Sequence, residues 1–241
     1  MQAISHFLSV TQNANRPILT HYHSFRDEIS GPVAARWVAK MANLLASDLS
    51  PDLFGGDENT PRILINLPAG WQSTFWQVSA NFMGWETQNG AISQVSPSNA
   101  FSFDVHVSDE LVALEASTAA WRLAHSTAPL AMRWRGPLPA GILDALAELM
   151  AQSDQFEYEA LESAPALDNY IAQVDAEEDA LFTAASELGT PTRLGLYTEN
   201  FPSAPLLTRL WMDGHGVVVV DKSHYGAQKA QEIFASEKVR L

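Results

Sequence analysis

Two histidines, His21 and His23, stand two residues apart in the stretch PILTHYH. Side chains alternate along a strand, so both imidazoles would face one side of it, a geometry that can hold a metal ion. A third ligand would come from Asp27, Glu28 or further away, and the spacing singles out none of them. The other candidate chemistry lies at two junctions. ILINLPAGW passes from an apolar run through a Pro-Ala-Gly turn into helix-like residues, and LGLYTENFPSAP does the same later in the chain. In α/β proteins, strand C-termini and helix N-termini form a ready crevice at such junctions, and the helix amides favour an anion. Asn66 and Trp71 at the first junction, and Glu199, Asn200 and Ser203 at the second, are the candidate ligand-binding residues.

Other patterns point to structure. His215 sits between glycines in DGHG, which suits a helix C-terminus. His224 follows Asp221, but a Ser–His–Asp site needs an exposed nucleophile, and no G-x-S-x-G elbow occurs. Ser203 reads first as a helix-entry residue. Neither G-x-G-x-x-G nor G-x-x-x-x-G-K-[ST] is present, and ELGTPTR lacks the lysine that would reach a phosphate, so it reads as a helix stop. At the first junction Pro68 removes a backbone donor, Trp71 would crowd the helix mouth, and no charge occurs in residues 63–85 for acid–base work. No catalytic residue is assigned.

The elements that must position these residues alternate. A short helix over 1–10, a strand over 17–23 and a helix entered at Ser30-Gly31-Pro32 come first; that helix carries Val33, Trp37, Met41, Leu44 and Leu45 on one face. LSPDLFGGDENTP reads as a loop. Residues 63–67 form an apolar strand of the kind covered on both faces. The following helix has two apolar stripes, Trp71, Phe75, Val78, Phe82 and Trp85 on one and Trp76, Ala80 and Met83 on the other, which predicts burial on most sides. Strands are predicted over 100–107, in AWRLAHS and in LAMRW. A helix capped by Ser108 and Asp109 should follow the first of these, and another should run from 140 to 152. After a polar excursion to about 175 come a helix over 177–188, a strand over 194–198, a helix over 202–212, a strand over 217–220 and a helix over 225–235 capped from Asp221-Lys222-Ser223. This alternation predicts an α/β fold with a largely parallel sheet. The two junction segments also share an order of strand, proline-bearing loop, Trp-bearing helix and Gly, a shared architecture without enough identity to claim duplication.

Composition narrows the classes. The 241 residues suit one large domain or two small ones, and 46% apolar with 17% charged residues is an ordinary globular balance. Without cysteine there are no disulfides, thiolate metal sites or cysteine nucleophiles. The charge-free run 63–85 contains Asn66, Pro68, Gly70, Gln72, Gln77 and Asn81, so it reads as buried strand and helix rather than a membrane span. The opening residues lack the pattern of a signal peptide, and the expectation is a soluble, cytoplasmic protein. The net charge is −14, and residues 136–192 hold twelve acids and no Lys or Arg. That argues against a nucleic-acid partner and fits a solvated acidic surface or, alternatively, a basic partner surface.

Three segments carry a family resemblance. PILTHYHSFRDEISGPVAARWVAKMANLLASDL resembles the opening strand, hairpin and first long helix of the adenylate-forming superfamily, the acyl-CoA synthetases, peptide-synthetase adenylation domains and luciferases. PRILINLPAGWQSTFWQVSANFMGWETQNG resembles its next strand, LP turn and helix. NFPSAPLLTRLWMDGHGVVVVDKSHYGAQKAQEIFASEKVRL resembles a late helix, strand and helix end. The nearest likeness is to small stand-alone proteins with twilight similarity to AMP-binding enzymes. The resemblance implies two Rossmann-like α/β subdomains, stacked as αβαβα layers. The expected division is an N-terminal subdomain over 1–150, an acidic connector over 151–176 and a smaller βαβ unit over 177–241. Where the family has a Ser/Thr/Gly-rich loop ending in Pro-Lys, this chain has LFTAASELGTPTR, and the adenine-binding motifs and the lid with its catalytic lysine have no counterpart. The motifs therefore do not support ATP or AMP as a cofactor. The expected role is a non-catalytic binding or assembly module. The alternatives are a ligand-binding protein or enzyme with a new site at the strand C-termini, and a partner subunit of an acyl- or aminoacyl-activating system, with a protein partner or self-association.

Overall fold

The computed structural model describes residues 3–14, 16–50, 60–90, 103–158 and 170–240. They fall into two units: residues 1–36 together with 167–241, and residues 37–166. The predicted loop LSPDLFGGDENTP lies mostly outside the described residues, as do the start of the predicted 100–107 strand and much of the polar excursion.

The first unit is built on a four-stranded sheet. Its helices are α1 (Ala3–Gln12), the start of α2 (Gly31–Ala46), α6 (Ala176–Glu187), α7 (Ala204–Met212) and α8 (Ala227–Ser236). The sheet order is β2-β1-β9-β8, from β1 (Pro17–Tyr22), β2 (Arg26–Ser30), β8 (Arg193–Thr198) and β9 (Gly216–Asp221). β1 and β2 form an antiparallel hairpin; β1, β9 and β8 run parallel. β9 is buried from Gly216 to Val220, as a central parallel strand covered on both faces must be. One face meets α8, where Val218 and Val220 pack with Ala230, Ile233 and Phe234. Phe7 of α1 meets Trp211 of α7 edge to face at 6.3 Å, and the buried Trp211 Nε1 donates to the Ile18 carbonyl at 2.9 Å.

The second unit is a five-stranded, fully parallel sheet of order β4-β3-β5-β6-β7, from β3 (Arg62–Asn66), β4 (Glu86–Asn89), β5 (Val105–Ser108), β6 (Trp121–Ala124) and β7 (Leu143–Asp144). Its helices are the rest of α2, α3 (Trp71–Phe82), α4 (Leu111–Glu115) and α5 (Ala145–Ala151). Both stripes expected on α3 are buried apart from the half-buried Trp71, and Ser79 Oγ donates to the Val38 carbonyl of α2 at 3.2 Å. The fully buried Asn43 of α2 donates to the Gln155 carbonyl and accepts from Glu157 N, tying down the start of the polar excursion.

Several sequence expectations are corrected. The sheets cut the chain elsewhere than at 150 and 177: Leu19 of β1 pairs with Val217 of β9, so the first strand belongs with the last ones. Ser108 ends β5 instead of capping a helix; α4 is one short turn entered at Glu110, with no side-chain cap. LAMRW is not a strand, because Leu130 takes a positive φ of 55° and the Trp134 amide is bound by the Asp144 carboxylate. Within 140–152, Leu143–Asp144 pairs with β6, and α5 begins only where Asp144 accepts from Leu146 N and Ala147 N. α8 starts at Ala227 after Gly226, and Asp221 instead closes a turn onto Ser223. On the predicted face of α2, Met41, Leu44 and Leu45 are buried, whereas Val33 is exposed. ELGTPTR is a helix stop, with Gly189 at φ 64°.

Candidate functional site

The C-terminal edge of the five-stranded sheet has a topological switch. From β3 the chain crosses through α3 to β4 on one side, while β5 lies on the other side and leads on to β6. Ligands in open α/β sheets bind at such a point. Here it is bridged by the protein: Asn66 ends β3, Ser108 ends β5, and Asn66 Nδ2 donates to Ser108 Oγ at 3.0 Å. Ser108 Oγ also accepts from Glu110 N at 3.0 Å. Thr127 Oγ1 donates to Asp109 at 3.4 Å, and burial holds the Asp109 carboxyl above its ordinary pKa. Trp71 stands at the α3 entrance between Trp37 and Phe75, with ring centroids 5.7 and 5.6 Å away. Two indoles thus stand together beside the α3 N-terminus, and no side chain caps it.

Sequence reasoning passed over two histidines beside this edge. His106 lies within β5, fully buried, with neither ring nitrogen hydrogen-bonded, and burial pushes its pKa down to about 4. His125 follows β6; burial pushes it down to about 4 against the opposing pull of the Ser126 backbone and the Asp144 carboxylate. Its ring meets Trp76 edge to face at 6.3 Å. Both imidazoles are neutral at pH 7. The one sequence signal was a histidine inside the strand pattern DVHVS.

In the first unit, the sequence candidates converge on the C-terminal edge of β1, β9 and β8. His21 and His23 do face the same way, but their rings stack at 4.4 Å and 25°. Lone pairs lie in the ring planes, so stacked rings direct them alongside each other rather than toward a shared ion. Among the described residues no three His, Asp or Glu side chains are grouped to hold a metal. The stack continues through aromatic neighbours: Phe201 lies 4.9 Å from His21, and Phe25 lies 4.1 Å from His23. Burial, then the neighbouring His23, lowers the His21 pKa to about 4.

Ser203 is the N-cap of α7, accepting from Leu206 N at 3.2 Å. Glu178 of α6 then fills the helix mouth. Its carboxylate accepts from Ser203 Oγ at 2.6 Å and from Ser203 N at 2.9 Å. The position that would attract an anionic ligand holds the protein's own anion. Asn200 is tied back to Thr198, whose Oγ1 accepts from Asn200 N and donates to the Asn200 carbonyl, while Glu199 is exposed to solvent. Asp221, Ser223 and His224 also cluster, but one imidazole nitrogen, Nδ1, faces both Ser223 Oγ (2.9 Å) and Asp221 (3.2 Å). A catalytic triad needs serine and carboxylate on opposite ring nitrogens. This is a turn lock. His215 Nδ1 likewise serves structure, accepting from Thr192 N at 3.3 Å.

No protein-family model and no curated protein sequence matches the chain. Solved structures do. An acyl-CoA synthetase from Brucella canis aligns over 99% of this chain and 46% of its own length, with TM-score 0.62 and 15% identity. The amide bond synthetase McbA from Marinactinospora thermotolerans aligns over 98% and 47%, with TM-score 0.58 and 14% identity. The fold is that of the adenylate-forming enzymes. The N-terminal subdomain of Klebsiella oxytoca NpsA, in complex with 3-hydroxyanthranilyl-AMSN, aligns over 98% of this chain and 57% of its own, with TM-score 0.53 and 10% identity. The chain spans about half the length of the adenylate-forming structures it matches. Among the described residues no helix is long and apolar enough to cross a membrane.

Proposed function

We propose that this chain is a non-catalytic module with the adenylate-forming fold, serving binding or assembly rather than acyl activation. The observation that carries this reading is the state of its crevices. Glu178 occupies the α7 mouth, and the Asn66–Ser108 bridge spans the switch between β3 and β5. An anionic nucleotide at the first position would meet a carboxylate held by two hydrogen bonds, and would have to displace it. The ELGTPTR turn, with neither glycine density nor lysine, agrees with this. The reading extends to a cytoplasmic location and to a protein partner or self-association.

ATP–pyrophosphate exchange tests it directly. Purified protein, assayed with ATP, magnesium and a panel of acyl and amino acids, is expected to show no exchange above a protein-free control. Robust exchange with any member of the panel overturns the reading.

A further inference from the structure

At the strand C-termini Glu178 holds the α7 mouth and the Asn66–Ser108 bond spans the β3–β5 switch, and a cavity opens at the opposite end of the four-stranded sheet. It has a volume of about 280 Å³ and lies where β1, β8 and β9 begin. Val10 of α1, Ala14 just after it, Pro17 and Ile18 of β1, and Pro191 before β8 supply the apolar part of its lining, and Asn13 and Thr192 add polar groups. Gly214 and Gly216 contribute no side chains, which keeps the space open. The one ionisable side chain of the lining is the exposed Arg16. Among the described residues Arg16 has no acidic partner, although the chain carries a net charge of −14.

We propose that this cavity binds a small monocarboxylate with an apolar body, such as a short aliphatic or single-ring aromatic acid. A guanidinium presents a planar fork of N–H donors that matches a carboxylate bidentately. The apolar part of the lining rewards removal of hydrocarbon from water. The volume sits just below the range usual for drug-sized ligands, which limits the occupant to a fragment. Neither feature alone selects this class: an exposed arginine without the cavity would take any anion, and the cavity without Arg16 would have no charge to select an acid. The site lies at the opposite end of the four-stranded sheet from Glu178, so it stands or falls independently of nucleotide chemistry at the strand C-termini.

The test is a two-dimensional amide NMR titration of the full chain with benzoate, butyrate and inorganic phosphate. Benzoate or butyrate should bind saturably with a Kd on the order of 1 mM, the range expected of so small a ligand. The shifts should centre on Val10, Ala14, Ile18 and Thr192. Arg16→Gln, at an exposed position, should weaken binding roughly tenfold or more, because charge-assisted hydrogen bonds are lost. Ala14→Phe should fill the cavity and remove binding while leaving Arg16 in place. The proposal is overturned by any of three results: no saturable carboxylate binding, parent-like binding in either variant, or phosphate binding as tightly as benzoate.

Discussion

At the scale of single residues, the histidines separate what type and spacing reveal from what burial decides. His21 and His23 were visible as a pair, and their shared direction held, but stacking replaced convergence. Titration with zinc, nickel or manganese should accordingly show no saturable binding at micromolar metal; binding lost in His21→Ala would contradict the stacked geometry. His106 and His125 were invisible as special because nothing local marks a histidine that will be covered. Their folded pKa of about 4 lies below the ordinary histidine value of 6.5. As pH falls, the unfolded chain binds these protons first. Their contribution is therefore complete above about pH 6.5 and is lost as pH falls toward about 4. Urea unfolding should show stability declining through that window, and His106→Leu should flatten the decline. That variant should gain about 1 kcal/mol or more at pH 5, since an unpaired polar group leaves the interior. Ser203 was legible as a helix-entry residue, but its partner Glu178 was not. Ser203→Ala should cost about 1–2 kcal/mol by chemical denaturation, at the high end for a cap because Glu178 loses a bond as well.

At the scale of elements, local rules succeeded where one face or both faces of an element are apolar. β3 and β9 read directly from their continuous apolar runs, because parallel strands are covered twice. β4, with sequence ETQN, did not, because an edge strand can be polar and its pairing with β3 is a tertiary fact. β7 was absorbed into a predicted helix because two residues are too short to show a period. The shared order of the two junction segments is realised as two β-α-β units, β3-α3-β4 and β8-α7-β9. In each, a further parallel pairing forms on the far side of the first strand: β5 beside β3, and Arg240 bridging to Leu194 of β8. The second of these β-α-β units, β8-α7-β9, is covered by α8 and the residues after it, so near β8 that a Cβ on Gly195 would stand 2.7 Å from the Val239 side chain and 3.0 Å from the Phe234 ring. Gly195→Ala should therefore destabilise the protein by about 1–3 kcal/mol, the usual range for overpacking, read as a lower urea midpoint.

At the scale of the whole molecule, charge is the property most directly read from composition. Two acids of residues 136–192 pair with cations elsewhere in the chain, Asp154 with Lys40 and Asp179 with Arg209, but the net charge of −14 already counts those cations, so the acidic excess remains. Self-repulsion of that size is screened by salt, so thermal unfolding should move upward by a few degrees between low ionic strength and physiological salt. A falling midpoint would show that the surface pairs outweigh the net field. The amino-acid sequence by itself determined the α/β alternation, the helix stop at Gly189, the cap at Ser203 and the core strands, because each follows from steric and hydrogen-bonding rules acting over a few residues. Only the tertiary structure decided that β1 pairs with β9, that Glu178 closes the α7 mouth, and that Arg16 meets Pro191 and Gly214 around a cavity. Those juxtapositions join residues far apart along the chain, and they exist only once burial of the core has brought the segments together.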